Sequence, residues 1–147
     1  MKKYLVLFGV LVLVAVGALY FFFLSEVDAP SVSTVHYVNA TADNIVVASP
    51  KPGESLGSII DVSGRARGMW YFEASFPIQV VDDTGAVIAQ DIATADGEWM
   101  TEEFVPFTAT ITLTSPYTGP ATLILKKDNP SGEASRDASM EIPIVIQ

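Results

Sequence analysis

The stretch Trp70-Tyr71-Phe72-Glu73-Ala74-Ser75-Phe76-Pro77-Ile78-Gln79-Val80-Val81 carries the clearest structural signal in the chain. Trp70, Phe72, Ala74, Phe76, Ile78 and Val80 share one parity and are all apolar, whereas Tyr71, Glu73, Ser75 and Gln79 fall on the other. Successive side chains of a β-strand point to opposite faces, so this period of two predicts a strand from Trp70 to Val81 with one face on a core. Pro77 has no N–H to give to a ladder, which predicts an edge position, a bulge, or a break between two shorter strands. Asp82-Asp83-Thr84-Gly85 closes the run as a turn, and Val87 to Ala95 returns as a strand with weaker alternation.

The same pattern extends to both sides. Ile60, Val62, Gly64 and Ala66 alternate with Asp61, Ser63, Arg65 and Arg67 until Gly68 breaks the run, and Ile45 to Ala48 is a short β-branched strand ended by Ser49-Pro50-Lys51-Pro52-Gly53. Asp96-Gly97 is a hairpin signal. After it Val105, Phe107, Ala109, Ile111 and Leu113 point one way, and Thr108, Thr110, Thr112 and Thr114 the other, as suits a strand with one solvated face. Ala121 to Lys127 is a further strand, followed by a polar loop from Asp128 to Ser139. The last strand sets Met140, Ile142, Ile144 and Ile146 on one face, and Pro143 on the other predicts an edge or bulge. About seven strands with turn signals between them and no amphipathic helix predict an all-β fold, an antiparallel β-sandwich over 45–147.

Tyr4 to Leu24 is an unbroken apolar run without a charged residue. At about 1.5 Å rise per residue it makes a helix of about 31 Å, matching a hydrocarbon core of about 30 Å, so 1–24 is expected to be a cytoplasmic stub and one transmembrane helix. Lys2 and Lys3 precede the run and no basic residue follows until Lys51. The positive-inside bias therefore predicts a single-pass protein of the cytoplasmic membrane, N-terminus inside and C-terminal domain outside. A cleaved signal peptide, with small residues at Val16-Gly17-Ala18, is the competing reading. The run continues through Leu19-Tyr20-Phe21-Phe22-Phe23-Leu24, far beyond a signal h-region, which favours retention as an anchor. Residues 25–44, rich in Ser, Ala, Thr, Asp and Val, read as a linker; Val32 to Val38 could instead add a short strand to the domain edge.

Of 147 residues, those beyond the anchor suffice for one core and not two. All 17 acidic residues and six of the eight basic ones follow the run, a formal charge of −11. Such a surface lacks the clustered cations that neutralise phosphates, so nucleic acid is not an expected partner. The acidity serves solubility, or draws cations or a basic partner. With no cysteine, and with the single histidine, His36, in the linker, nucleophilic catalysis of the Ser-His or Cys-His type has no residues to work with. The loops Asp82-Asp83-Thr84-Gly85 and Asp128 to Glu133 offer oxygens to a calcium ion, but neither has EF-hand spacing and both are ordinary turn chemistry. No metal and no cofactor is expected.

Four segments, in order, resemble the immunoglobulin-like domain of bacterial spore germination proteins: Arg67-Gly68-Met69-Trp70-Tyr71-Phe72-Glu73-Ala74-Ser75-Phe76-Pro77, Ala93-Thr94-Ala95-Asp96-Gly97-Glu98-Trp99-Met100-Thr101, Phe104-Val105-Pro106-Phe107, and Lys127-Asp128-Asn129-Pro130-Ser131-Gly132. In that family the domain often accompanies a GerM-type germination and sporulation domain, which this sequence lacks. The resemblance implies an immunoglobulin-like β-sandwich and a non-catalytic protein-binding or structural role in the bacterial cell envelope, with a link to germination or sporulation. It carries no catalytic residues. Exposed loops on a rigid sandwich are where such folds hold function, so Arg67, Trp99, Glu102 and Asp128 are the candidate binding residues, bordering one surface. The alternative is a cell-wall glycan-binding or lytic protein using Glu98, Glu102 and Glu103 beside Trp99, a residue type that stacks on sugars.

Overall fold

A computed structural model of the chain describes residues 34–147. The anchor expected at Tyr4 to Leu24 lies outside them, and among the described residues no helix is long and apolar enough to cross a membrane. The strands are β1 (His36–Val38), β2 (Ile45–Ser49), β3 (Ser55–Leu56), β4 (Ile59–Arg67), β5 (Ser75–Asp82), β6 (Val87–Ala95), β7 (Phe104–Thr112), β8 (Gly119–Lys126) and β9 (Ser139–Ile146). They form one sheet in the order β1-β9-β8-β5-β6-β7-β4-β2, antiparallel throughout except for β3, which runs parallel to β9. β1 falls within the stretch 25–44 and pairs His36 with Glu141.

The fold is all-β, as expected, and the sheet is curled. β6 pairs with β5 from end to end but with β7 only at Thr94 and Ala95. Beyond that corner β7, β4 and β2 turn back over β5, β8 and β9. Phe76 of β5 meets Phe107 of β7 edge to face, 4.9 Å between ring centres, in the space between. The alternation read from the sequence supplies the core: Ile60, Val62 and Ala66 of β4, Phe76, Ile78 and Val80 of β5, Val105, Phe107 and Ile111 of β7, and Met140, Ile142, Ile144 and Ile146 of β9 are buried. Thr108, Thr110, Thr112 and Thr114 are exposed. The prolines also sit where a missing N–H is tolerated. β8 pairs with β5 only from Ile78 onward, leaving Pro77 beside β6 alone, and Pro143 lies in the gap between β1 and β3 along β9.

Asp82 makes the β5–β6 turn. Its Oδ1 accepts from the Thr84 hydroxyl at 2.7 Å and from the Thr84 and Ala86 N–H groups at 2.9 Å each, and Gly85 takes the positive φ of 85° that the turn needs. The Thr84 hydroxyl, then the Ala86 N–H, hold the Asp82 carboxyl below the ordinary carboxylate value. A depressed pKa in the folded state means that this turn contributes stability above the unfolded carboxyl's pKa and loses it as pH falls through the folded value. A carboxyl carbon NMR titration should place the Asp82 midpoint below that of an unstructured Asp, and Thr84→Ala should move it back up.

The strand expected from Trp70 to Val81 is corrected. Gly68–Trp70 forms a 3-10 turn, and Phe72 and Ser75 then exchange backbone hydrogen bonds around Glu73 and Ala74, at φ of 50° and 60°. β5 begins only at Ser75. Two consecutive left-handed residues cancel the parity of everything before them, so Phe72 is 42% exposed instead of in the core. Tyr71 is buried in its place, its hydroxyl donating to the Val105 carbonyl at 2.7 Å, and burial pushes its pKa up to about 12. Trp70 is buried as expected. Phe72→Ala and Thr110→Ala should each lower stability by about 1 kcal/mol or less in urea unfolding, as surface changes do. The Asp96-Gly97 signal also resolves differently: β6 and β7 are joined by the loop 96–103 and not by a two-residue hairpin.

Candidate functional site

Where β4 ends and β7 begins, the 3-10 turn Gly68–Trp70 is the hub of one end of the domain. The antiparallel register sets Arg67 opposite Phe104 and Arg65 opposite Pro106. Both guanidinium groups consequently lie over the Phe104 ring, Arg67 at 4.1 Å and Arg65 at 4.9 Å from its centre. Arg67 is further fixed by its Nε, which donates to the Asp43 carbonyl at 3.0 Å, by its Nη1, which donates to the Glu102 carbonyl at 3.2 Å, and by the Glu103 carboxylate at 3.6 Å. Arg67 therefore clamps the start of β2 to the loop 96–103. Arg65 has no carboxylate within ion-pair distance among the described residues.

The next residue explains a glycine. A Cβ on Gly68 would overlap the carbonyl oxygens of Trp99 and Thr101, and the Gly68 N–H donates to the Glu103 carbonyl at 3.2 Å. Only a residue without a side chain lets the turn and the loop 96–103 touch backbone to backbone. Trp99 is half-buried and packs against the core. A ring committed in this way is a poorer platform for stacking a sugar than a free one, which weakens the glycan-binding alternative. Glu98, Glu102 and Glu103 are exposed.

Asp128 joins the hub from the other side, through its backbone N–H to the Trp70 carbonyl at 3.0 Å. The loop it opens is tied internally: Asn129 Nδ2 donates to the Glu133 carbonyl and to the Asp137 carboxylate, both at 2.8 Å, and Asn39 Nδ2 donates to the Asp137 carbonyl at 3.0 Å. Between this loop and the hub lies a cleft of about 280 Å³ whose lining includes Asn39, Asn44, Met69, Trp70, Lys127 and Arg136. The buried Trp70 Nε1 has no acceptor among the described residues. Arg67 thus reaches this hub with its side chain, whereas Trp99, Glu102 and Asp128 meet it through their backbones, the first two by carbonyls and the third by its N–H.

Sequence reasoning passed over three residues here. Phe104, the platform for both arginines, reads as an ordinary strand start. Met69 and Met100, 63% and 74% exposed, sit in segments whose turn-rich character is visible but whose proximity is not. Among the described residues no group of acidic or histidine side chains is arranged to hold a metal ion.

Residues 44–134 match the model of the Gmad2 family, the immunoglobulin-like domain of bacterial spore germination. No curated protein matches the chain.

Proposed function

This chain belongs to the family of immunoglobulin-like domains of bacterial spore germination, and from that premise we propose that it is a non-catalytic binding module of the bacterial cell envelope, held at the outer face of the cytoplasmic membrane by Tyr4 to Leu24. The observation that carries the non-catalytic reading is the core itself. Among the described residues no charged side chain is buried, and the buried Tyr71 hydroxyl is tied to the Val105 carbonyl, so no desolvated acid, base or nucleophile is left free for chemistry. The sandwich instead presents rigid loops at the Gly68–Trp70 end, stiffened by the Arg67 clamp and by the bonded loop that follows Asp128. Support for the anchor is the apolar run with Lys2 and Lys3 before it. The link to germination rests on the family alone.

Two measurements test the proposal. A photo-crosslinking residue at Glu102 in intact cells is expected to give a discrete protein adduct that the same residue at Thr110, on the exposed face of β7, does not. Equal adducts, or retention of the chain on purified peptidoglycan with release of fragments, would replace this reading with the glycan-active alternative. Protease added outside the cytoplasmic membrane should remove the β domain while leaving a membrane-bound stub, and a mature N-terminus at or beyond Leu19 would end the anchor claim.

A further inference from the structure

Met69 and Met100 are the two most exposed large apolar side chains among the described residues. They are neighbours: Gly68 immediately precedes Met69 and lies against the carbonyls of Trp99 and Thr101, the residues on either side of Met100. Two exposed methionines on loops that touch backbone to backbone, next to Trp99, which itself packs against the core, make an apolar tip. Methionine is flexible and polarizable, and exposed methionines recur on surfaces that mould to a partner.

The charge of the loop that carries Met100 selects the occupant, while Met69 itself lines the cleft with Lys127 and Arg136. The loop 96–103 carries Asp96, Glu98, Glu102 and Glu103 and no basic residue. Of these, Glu103 is paired with Arg67, while Asp96, Glu98 and Glu102 have no ion pair among the described residues. A second copy of the chain would set these carboxylates against themselves, which costs binding energy in a self-complementary contact. An anionic lipid leaflet would repel them in the same way. A segment that offers apolar residues to the methionines and Lys or Arg to the carboxylates meets neither objection, and its encounter is sped by opposite charge.

We propose that the Met69–Met100 tip docks a basic amphipathic segment of a partner protein, its apolar residues on the two methionines and its cations on Asp96, Glu98 and Glu102. This rests on the binding-module reading and names the chemistry of the partner. The full chain in neutral detergent micelles, labelled on its methionine methyl groups, is titrated with a short synthetic Lys-Leu helix. The Met69 and Met100 signals should move, while that of Met140, 3% exposed, should not. An all-lysine peptide should bind about tenfold more weakly, since it lacks the apolar contact. Met69→Ser with Met100→Ser, and separately Glu98→Gln with Glu102→Gln, should each weaken the Lys-Leu helix by about tenfold, the second pair losing its effect at high salt. These side chains are exposed, so an unchanged urea midpoint shows that the variants fold. Methionine signals that stay put with the helix, that move instead with anionic vesicles or with chain concentration, or affinities that the variants leave unchanged overturn the proposal. A partner crosslinked from Glu102 in cells alongside a failed titration would sink the basic segment and keep the binding module; failure of both would remove the two together.

Discussion

Replacing Phe107 by alanine is expected to destabilise the β domain by about 3 to 5 kcal/mol, the upper range for losing a buried aromatic ring. The ring is 1% exposed and meets Phe76 edge to face, joining the two sides of the curled sheet. Its far edge also covers Gly64: a Cβ placed there would come within 2.7 Å of the ring's Cζ. Glycine has no side chain with which to fill the space the ring would leave, and β-sheet backbone cannot collapse into it without breaking the β4–β7 ladder, so the cavity should remain largely open. Small domains are stable by about 5 to 15 kcal/mol, so much of the folded state's margin is at stake. Urea unfolding checks this, and a cost near that of Thr110→Ala would mean that Phe107 does not fill the interior as described.

Gly68→Ala is the second large effect, expected at about 3 kcal/mol, the top of the range for forcing extra volume into a packed site. The obstruction is backbone and cannot be relieved by turning a side chain: the carbonyls of Trp99 and Thr101 occupy the position of the new Cβ. The loop is held there by the Gly68 N–H on the Glu103 carbonyl and by the Arg67 bond to the Glu102 carbonyl, and is tightened internally by the Thr101 N–H on the Trp99 carbonyl at 2.8 Å. Accommodating one methyl group therefore means detaching the loop 96–103 from the turn. Amide hydrogen exchange at Gly68 and Thr101 should accelerate in the variant, together with the drop in the urea midpoint. A variant within about 0.5 kcal/mol of the parent, with unchanged exchange, would show that the two loops are not in contact.

The contrast between these two residues and Phe72 shows how far the sequence can be read. Phe107 and Phe72 both occupy apolar positions of an alternating run. Phe107 lies in an uninterrupted strand, where each side chain's face follows from that of its neighbour, and it is buried. Phe72 is separated from its strand by Glu73 and Ala74, both in the left-handed region, where neither residue type signals a turn. The parity count passed through a reversal it could not see. The alternation sets Arg65 and Arg67 on the face of β4 away from the core, and the cross-strand pairing with Pro106 and Phe104 stacks both on one ring and makes Arg67 a clamp.

Alternation, turn residues and charge balance act between near neighbours in the chain, so the sequence alone determined the all-β class, the buried faces of β4, β7 and β9, the Asp82 turn, the acidity and the kinship with the spore-germination domains. Which loops share an end of the sandwich is set by strand order and register, which depend on contacts between residues far apart in the chain. Only the tertiary structure, therefore, brought Gly68 against Trp99 and Thr101, bonded Asp128 to Trp70, and set the turn that carries Met69 against the acidic loop that carries Met100.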